Sequence, residues 1–276
     1  MGSLLENQVA IITGAARGIG AATARLFARE GAKVVVSDRD ELPARDVASE
    51  IRSEGGDAIA VSGDITIPAF PAHLIEESIA KYGRLNILVN NAGYTWDGML
   101  HKMTDHQWQA MLEVHATAPF RLIRAAAPYM RDAAKDEQAF GRKREPRCVI
   151  NISSTSGLHG HIGQANYSTA KLGIVGLTKT VAKEWGAFGV RCNAVAFGYI
   201  DTRLTQSKEA NESIDVEGEQ VALGIPSQLR DMIQLMIPLG RAGTVEEAAG
   251  ALLLLASPYA AYINGHVLEV TGGMGI

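Results

Sequence analysis

The fold class of this chain is decided by one stretch near its start, Thr13-Gly14-Ala15-Ala16-Arg17-Gly18-Ile19-Gly20. An apolar run, Val9–Thr13, leads into it, and apolar residues at helical spacing follow until Gly31, where a helix C-cap glycine belongs. The glycines allow the backbone to turn sharply and to approach a pyrophosphate, while the free N–H groups of a helix N-terminus favour negative charge. The stretch is therefore predicted to be a phosphate-binding turn between a strand and a helix.

Short apolar runs alternate with longer helical patterns over nearly the whole chain. The short runs are continuous in apolar character, which is typical of parallel strands buried on both faces. The alternation predicts one α/β domain over residues 1–276, a doubly wound parallel sheet with helices on both faces. Strands are predicted at Val9–Thr13, Val34–Ser37, Ala58–Ser62, Ile87–Asn90, Cys148–Ser153, Arg191–Ala196 and His266–Val270. Further helices are predicted at Ile67–Tyr82, Thr104–Arg131, Tyr167–Phe188 and Val245–Ala256.

The composition of the chain argues against several classes of protein. Its 276 residues are 47% hydrophobic and 20% charged, which allows a large core and excludes wholesale disorder. The net charge of -4 argues against a nucleic-acid partner, and 2 cysteines cannot form a disulfide scaffold. No apolar stretch approaches the ~20 residues of a membrane helix, and the first residues lack the pattern of a secretory signal. We therefore expect a cytoplasmic protein without membrane partners.

A carboxylate stands where a dinucleotide-binding sheet would contact a ribose. Asp38 ends the second predicted strand, 18 residues after Gly20, and could accept hydrogen bonds from the adenosine ribose hydroxyls. It would also repel a 2′-phosphate by roughly 4 kcal/mol at ~4 Å and an effective dielectric constant of about 20. Arg17 and Arg39 argue in the opposite direction, because either guanidinium could neutralise that phosphate. The balance favours NAD(H) as the cofactor, with NADP(H) as the alternative.

Three residues have the spacing of an acid–base site. Tyr167 and Lys171 are four apart and therefore share a helix face, and Ser154 follows a predicted strand 13 residues earlier. An ammonium beside a phenol stabilises the phenolate, so the lysine is expected to lower the pKa of the tyrosine. Ser154 could hydrogen-bond the oxygen of a reacting carbonyl or alcohol.

Taken together, these motifs are similar to those of the short-chain dehydrogenase/reductase family. The shared motifs, from about Gln8 to the end of the chain, are the glycine turn, Asn90-Asn91-Ala92-Gly93, Ser154 and Tyr167-Ser168-Thr169-Ala170-Lys171. Within the family the chain looks most like bacterial 3-oxoacyl-(acyl-carrier-protein) reductases and related 3-hydroxyacyl dehydrogenases. The resemblance implies a Rossmann-type sheet of about seven strands in the order 3-2-1-4-5-6-7.

The resemblance also implies roles for single residues. Tyr167 would be the proton donor or acceptor, Lys171 would bind the nicotinamide ribose, and Ser154 would orient the substrate oxygen. The other implied cofactor contacts are Gly14, Arg17, Gly18, Ile19, Gly20 and Asp38 at the phosphates and first ribose, Asp64 and Ile65 at the adenine, Asn91, Ala92 and Gly93 beside a ribose, and Ile200 and Thr202 at the carboxamide.

Two positions depart from the family pattern. An asparagine that completes a proton relay with the lysine is usual where this chain has His115. Because the relay is thought to use the backbone carbonyl, His115 is kept as a candidate catalytic residue. Phe197-Gly198 stands where Pro-Gly is usual beside the nicotinamide, which loosens the turn and adds an apolar wall.

Three polar residues after Ser154 are candidates for the mouth of the substrate site. His159 and His161 form an H-x-H run, and Gln164 follows them. A zinc site needs further ligands, and no Cys/His/Asp cluster accompanies this run. We therefore predict that His159, His161 and Gln164 contact substrate and that no metal is bound.

Two segments interrupt the alternation of strands and helices. Arg131–Arg147 is polar and basic and is predicted to be an exposed loop. Residues 202–240 contain no predicted strand and are expected to form a substrate loop. Within that loop, Leu223–Leu239 has the spacing of an amphipathic helix, which could pack on the core or act as a flexible lid. Cys148 and Cys192, in strands that the family order makes neighbours, are expected to be buried thiols.

Two classes of function remain. The first is an NAD(P)-dependent oxidoreductase acting on a 3-oxoacyl thioester, with an acyl carrier as partner, or on a steroid, a sugar or a small secondary alcohol. The second is a catalytically silent dinucleotide-binding sensor. The joint presence of Ser154, Tyr167 and Lys171 favours the enzyme. Thr104–Arg131 and Tyr167–Phe188 are apolar on more than one side, and the resemblance implies that such helices pack against their mates in a homotetramer.

Overall fold

The sheet is built from the apolar runs that the sequence predicts. In the computed structural model, which describes residues 3–216 and 218–275, the strands are β1 (Val9–Thr13), β2 (Lys33–Asp38), β3 (Asp57–Ser62), β4 (Ile87–Asn90), β5 (Arg147–Ser154), β6 (Val190–Phe197), β7 (Ser213–Val216), β8 (Glu219–Ala222) and β9 (Val267–Val270). Seven of them form one parallel sheet in the order β3-β2-β1-β4-β5-β6-β9. In β1, Ile11 pairs with Val35 of β2 and with Leu88 of β4. The predicted fold class is confirmed.

Both faces of this sheet are covered by apolar side chains. Ile11 and Ile12 are adjacent in β1 and fully buried, yet they belong to different core clusters. Ile12 lies in the cluster that contains Phe27 and Leu252, and Ile11 lies in the cluster that contains Leu122. Because successive side chains of a strand point to opposite faces, these two clusters are the two layers of core on either side of the sheet.

Helices supply the outer part of each layer. They are α1 (Gly18–Arg29), α2 (Glu41–Ser53), α3 (Phe70–Tyr82), α4 (Asp105–Leu112), α5 (Ala118–Ala127), α6 (Ala133–Ala139), α7 (Thr155–His159), α8 (Ala165–Trp185), α9 (Ser227–Leu235) and α10 (Val245–Ala256). Helices α1, α2 and α10 contribute to the layer around Ile12, whereas α3, α5 and α8 contribute to the layer around Ile11. Thr104 and Thr244 begin α4 and α10 with capping boxes, in which side chain and backbone bond reciprocally.

The prediction of an exposed loop over Arg131–Arg147 is wrong for much of its length. After α5, the π-helical turn Pro128–Asp132 leads directly into α6, so helical structure continues to Ala139. Arg147 is buried at the start of β5, where its guanidinium makes two bonds, of 2.5 and 2.8 Å, to the carboxylate of Glu137. A buried guanidinium needs such a paired carboxylate, and α6 positions it.

The prediction that residues 202–240 contain no strand is also wrong. β7 and β8 form an antiparallel hairpin, and its inward side chains Ile214, Val216 and Val221 are buried together with Leu223. These strands are short and half-polar, so their alternation is a weak sequence signal. The predicted amphipathic helix is present only as α9, and none of its residues is buried.

The two cysteines lie on adjacent strands of the sheet. In the register of β5 and β6, Cys192 pairs with Val149, the residue that follows Cys148. Both cysteines are buried free thiols, as predicted. Burial raises the pKa of Cys148 to about 11, so the thiol is unreactive at neutral pH. Of the helices in the described part of the chain, none combines the length and apolar character needed to cross a membrane.

Candidate active site

The glycine turn after β1 is packed so closely that side chains cannot replace two of its glycines. Gly14 has a φ of 62°, and a Cβ on it would lie 2.7 Å from Cα of Ala92. A Cβ on Gly20 would lie 2.2 Å from the carbonyl oxygen of Gly14. Gly18 also has a positive φ, 55°, but a Cβ on it would contact only a methyl group of Thr202, at 3.9 Å. The backbone of the turn is therefore exposed toward one side, where a phosphate could approach it.

Asn91 and Thr13 hold this turn in place. The Asn91 amide donates to the carbonyl oxygens of Thr13 at 2.9 Å and Gly14 at 3.1 Å. In return, the Thr13 hydroxyl accepts bonds from the backbone N–H groups of Asn91 and Ala92. Asn91, expected beside a ribose, thus has its side chain committed to the end of β1 and ties β4 to the glycine turn.

A cavity of 420 Å³ opens at the carboxyl ends of β1 and β4, where the strand order reverses. Such a topological switch point is where open α/β sheets bind dinucleotides. Most of the expected cofactor contacts line it: Gly14, Arg17, Gly18, Ile19, Gly20, Asp38, Asp64, Ile65, Asn91, Ala92, Gly93 and Thr202. Ile200, expected at the carboxamide, does not line the cavity, because its side chain is buried against Gly243.

The two ends of the turn are suited to phosphate and ribose. α1 begins at Gly18 without a side-chain cap, which leaves its first N–H groups and the positive end of its dipole facing the turn. Asp38 ends β2, and its carboxylate accepts backbone bonds from Ala16 at 3.0 Å and Asp40 at 3.1 Å. This glycine cradle, the uncapped helix and the fixed carboxylate together fit a dinucleotide.

The two arginines that could bind a 2′-phosphate both have partners. Arg17 makes an ion pair with Asp40 at 2.5 Å. Arg39 donates from Nη1 to the backbone carbonyl of Asp215 in β7, at 2.9 Å. Neither partner was predicted from the sequence, because Asp40 lies 23 residues from Arg17 and Asp215 lies 176 residues from Arg39.

Ser154, Tyr167 and Lys171 come together at the end of β5. Tyr167 and Lys171 lie on α8, and the Lys171 ammonium is 5.5 Å from the centre of the Tyr167 ring. Lys171 is buried and donates to the carbonyl oxygen of Ile152 in β5 at 2.7 Å. The Ser154 hydroxyl hydrogen-bonds the phenol of Tyr167, and it also accepts a bond from the backbone N–H of Ser156. The predicted constellation is thus a contiguous group.

The pKa of the tyrosine moves in the direction opposite to the one expected. Burial raises the pKa of Tyr167 to about 12, and the hydrogen bond from Ser154 offsets only part of that rise. Burial also lowers the pKa of Lys171 to about 7, so the lysine is only partly charged near neutral pH. In this arrangement Tyr167 keeps its proton at neutral pH, as a general acid must.

His115 packs directly against Tyr167. It lies in the π-helical turn Glu113–Thr117 between α4 and α5, and its ring stands at 88° to that of Tyr167 with 5.0 Å between centroids. Burial holds the pKa of His115 well below its usual value, so the imidazole is neutral. Its Nε2 is 2.7 Å from the carbonyl oxygen of Tyr94, which can only accept, so the proton is on Nε2. A Cβ on Gly93 would lie 2.2 Å from His115 Cε1, so only glycine fits there.

The structure adds one acidic residue near the site, Asp97. Gln164 donates its amide to both Asp97 oxygens at 3.1 Å, so this expected substrate contact is already paired. Partial desolvation raises the pKa of Asp97, and its charge in turn raises the pKa of Tyr167. Its position after β4, at the carboxyl edge of the sheet, is the signal by which the sequence could have predicted it.

The two histidines of the H-x-H run point to different partners. His159 Nε2 lies 3.6 Å from a carboxylate oxygen of Glu269, and His161 Nδ1 lies 3.0 Å from the carbonyl oxygen of Ile162. Both side chains are solvent-accessible. Within residues 3–216 and 218–275, no group of three or more His, Cys, Asp or Glu side chains is arranged to hold a metal.

Comparison with known proteins identifies the family. The sequence matches the short chain dehydrogenase family over residues 8–213, and the chain belongs to that family. It is 41% identical to a 3-oxoacyl-(acyl-carrier-protein) reductase of Synechocystis sp. and 35% identical to a reductase of the same name, FabG, of Thermotoga maritima. Each alignment covers 98% of this chain and 98% of the relative. FabG of Escherichia coli is 35% identical over the same share of both chains. The protein is therefore a nicotinamide-dinucleotide-dependent oxidoreductase that acts on a carbonyl or secondary alcohol.

Proposed function

We propose that this protein reduces 3-oxoacyl thioesters to 3-hydroxyacyl thioesters with NADH. The chemistry is supported by the contiguous group of Ser154, Tyr167 and Lys171. Tyr167 packs on His115, which contacts Tyr94 in the lining of the dinucleotide cavity. The substrate class is supported by the reductases to which the chain is similar over nearly its full length. An acyl carrier is accordingly the expected partner, and the cytoplasm the expected place of action.

A protonated Tyr167 suits the reductive direction of the reaction at neutral pH. A nicotinamide dinucleotide held in the cavity would supply hydride to the carbonyl carbon. Tyr167, whose raised pKa keeps it protonated, donates its proton to the carbonyl oxygen as negative charge develops there. Ser154 hydrogen-bonds the same oxygen and holds it next to the phenol. The charged fraction of Lys171 stabilises the phenolate that remains, and His115 fixes the ring edge-on.

The preference for NADH rests on the surroundings of Asp38. Two backbone N–H groups fix its carboxylate at the end of β2, where it can accept bonds from ribose hydroxyls. A 2′-phosphate placed there would meet this negative charge. The positive charges that could offset it are already paired, Arg17 with Asp40 and Arg39 with the carbonyl of Asp215.

We further propose a homotetramer that uses the outer faces of α5 and α8. Phe120 and Leu172 are large apolar side chains on these helices, and they are 44% and 53% exposed. Gly173 and Gly176 leave open space on α8, and the groove between the two helices is lined by Phe120, Ile174 and Leu177. Apolar faces of this kind are covered in symmetric assemblies. Light scattering coupled to size exclusion at micromolar concentration tests this, since a monomer mass would contradict it.

The proposed activity is tested with a panel of substrates and both cofactors. Acetoacetyl thioesters, a steroid ketone, a ketose and a small ketone are assayed with NADH and with NADPH, following absorbance of the reduced nicotinamide. We expect the highest kcat/KM with the thioesters and NADH. Highest turnover of a ketose would support a polyol dehydrogenase, for which Asp97 and Gln164 offer polar contacts. Tight NADH binding without turnover of any compound would support the sensor function instead.

A further inference from the structure

The β7–β8 hairpin lies across the cavity and connects its two sides. The inward side chains Ile214 and Val216 line the cavity together with Asp38 and Gly14. The same apolar face packs against Tyr94 and Trp96 in the loop after β4, and against Leu204. β2 and β4 flank β1 on opposite sides, so the hairpin spans the switch point of the sheet from one side to the other.

Two polar contacts attach the ends of the hairpin to the frame. Arg39, directly after β2, donates to the backbone carbonyl of Asp215 at 2.9 Å. On the other side, Glu219 in β8 lies 3.3 Å from Nδ1 of His106 in α4. The first contact joins a side chain to a backbone carbonyl and the second joins two side chains, all at the surface. The Arg39 side chain is 39% exposed. Contacts of this kind open and close more easily than bonds that are shielded from solvent by packed backbone, as at the glycine turn.

The hairpin is also braced internally, so it can move as a unit. Asp215 accepts a bond from the backbone N–H of Gly218 and another from the Gln220 amide, both at 3.1 Å. At its base, the N–H of Leu223 donates to the carbonyl of Glu212 at 2.8 Å. The described residues of the hairpin therefore form a small rigid body that is attached to the frame mainly by one apolar cluster and two polar contacts.

We propose that the β7–β8 hairpin is a clasp that retains the dinucleotide and that Arg39 is a positioning residue that latches it. A dinucleotide in the cavity lies beneath Ile214 and Val216, so its release requires the hairpin to lift and the Arg39 contact to break. Arg39 then controls how long the cofactor stays, and it does not discriminate between NADH and NADPH. This inference rests on the proposed function only in that a nicotinamide dinucleotide binds the cavity.

The first test measures cofactor release from point variants of the full-length protein. Arg39→Ala is compared with wild type by stopped-flow fluorescence for NADH release and by equilibrium titration with NADH and NADPH. Removing one hydrogen bond should speed NADH release about fivefold, while the ratio of NADH to NADPH affinity stays within about twofold. Arg45→Ala is the matched control, because Arg45 pairs with Glu41 on the surface of α2 and loses the same charge. It should leave the release rate unchanged.

The second test removes the clasp itself. Because Glu212 and Leu223 are hydrogen-bonded neighbours, residues 213–222 can be replaced by an Asn-Gly turn without moving the ends of the segment. NADH release should speed up by about tenfold or more, and adding Arg39→Ala to this variant should change it by less than about twofold, because both changes remove the same contact. Circular dichroism and the melting temperature verify that the shortened chain is folded.

The outcomes separate this inference from the proposed function. Unchanged NADH release in Arg39→Ala would overturn the clasp while leaving the reductase proposal intact, and it remains decisive even where the shortened variant fails to fold. A selective loss of NADPH affinity in Arg39→Ala would also overturn it, because Arg39 would then be a phosphate ligand. A wild-type protein that binds neither dinucleotide would contradict the proposed function itself.

Discussion

The glycine turn and the β7–β8 hairpin border the same cavity but are held in opposite ways. The turn is fixed by backbone atoms at close approach and by the partly buried Asn91 amide. The hairpin is fixed by a small apolar cluster and by exposed contacts such as that of Arg39. One wall of the site, the rigid frame, is thus held by close backbone packing, and the other, the adjustable segment, by contacts that solvent can reach. Changes in the rigid frame should therefore affect catalysis and cofactor affinity, whereas changes in the hairpin should mainly affect the rate of cofactor release.

The largest effect is expected at the catalytic tyrosine of the rigid frame. Tyr167→Phe removes the proton donor and should lower kcat by about 10³-fold, within the range for a general acid. NADH affinity should stay within about threefold, because only a hydroxyl is lost. Steady-state kinetics and fluorescence titration measure the two quantities. Tyr82→Phe, which removes a hydroxyl bonded to Asp57 far from the site, serves as control. Comparable kcat in wild type and Tyr167→Phe would contradict the mechanism.

The next effect concerns the cofactor carboxylate. Asp38→Ala should raise the Kd for NADH by about 10- to 100-fold, because a hydrogen bond to a charged group is lost. The relative use of NADPH should improve, because the repulsion of a 2′-phosphate is removed. Asp46→Ala, an exposed carboxylate on α2, controls for the change in net charge. A wild-type preference for NADPH in initial-rate measurements would show that Asp38 does not select NADH.

The pH dependence distinguishes the two expectations for the tyrosine pKa. Oxidation of the alcohol needs deprotonated Tyr167, and burial raises its pKa to about 12. Deprotonation thus increases as pH rises, and the oxidation rate should still be rising at about pH 9. The measurement is kcat for oxidation of a 3-hydroxyacyl thioester between about pH 6 and 10. A plateau reached below about pH 8 would mean that Lys171 lowers the pKa more than burial raises it.

A smaller effect is expected at His115, which packs on Tyr167 without titrating. Because the imidazole is neutral and its Nε2 is committed to the Tyr94 carbonyl, His115→Asn should retain kcat within about tenfold. Kinetics and a melting curve separate a catalytic loss from a loss of packing. A decrease in kcat of about 10³-fold at unchanged stability would contradict this and would mean that the imidazole takes part in proton transfer.

The smallest effect is expected in α9, which follows the adjustable segment along the chain. Leu235 is 87% exposed, so Leu235→Ala should change the free energy of unfolding by less than about 0.5 kcal/mol. The matched substitution in the frame is Leu252→Ala, where the side chain is fully buried in α10 and the cost should be about 2–5 kcal/mol. Chemical denaturation measures both. Similar losses at the two positions would show that α9 is covered in the folded assembly.

The parts of the site that are local in sequence were accessible before the structure. The strand, turn and helix from Val9 to Arg29 follow from apolar spacing and glycine positions, because β1 and α1 are consecutive and the turn joins them directly. Tyr167 and Lys171 share a helix face at a separation of four residues, and Ser154 is the last residue of β5. Each of these features depends on the spacing of residues within a single helix or strand, and that spacing can be read directly from the sequence.

The contacts that tertiary structure alone decided are those between distant segments. Arg147 looked like part of an exposed basic loop until α6 placed Glu137 against it. Asp97 pairs with Gln164 across 67 residues, and Arg39 pairs with Asp215 across 176. The rise in the pKa of Tyr167 likewise comes from burial, which is a property of the packed interior and outweighs the neighbouring charge that spacing suggests. Periodicity determines which face of an element is apolar, but desolvation and the choice of partners depend on every element that packs around the site.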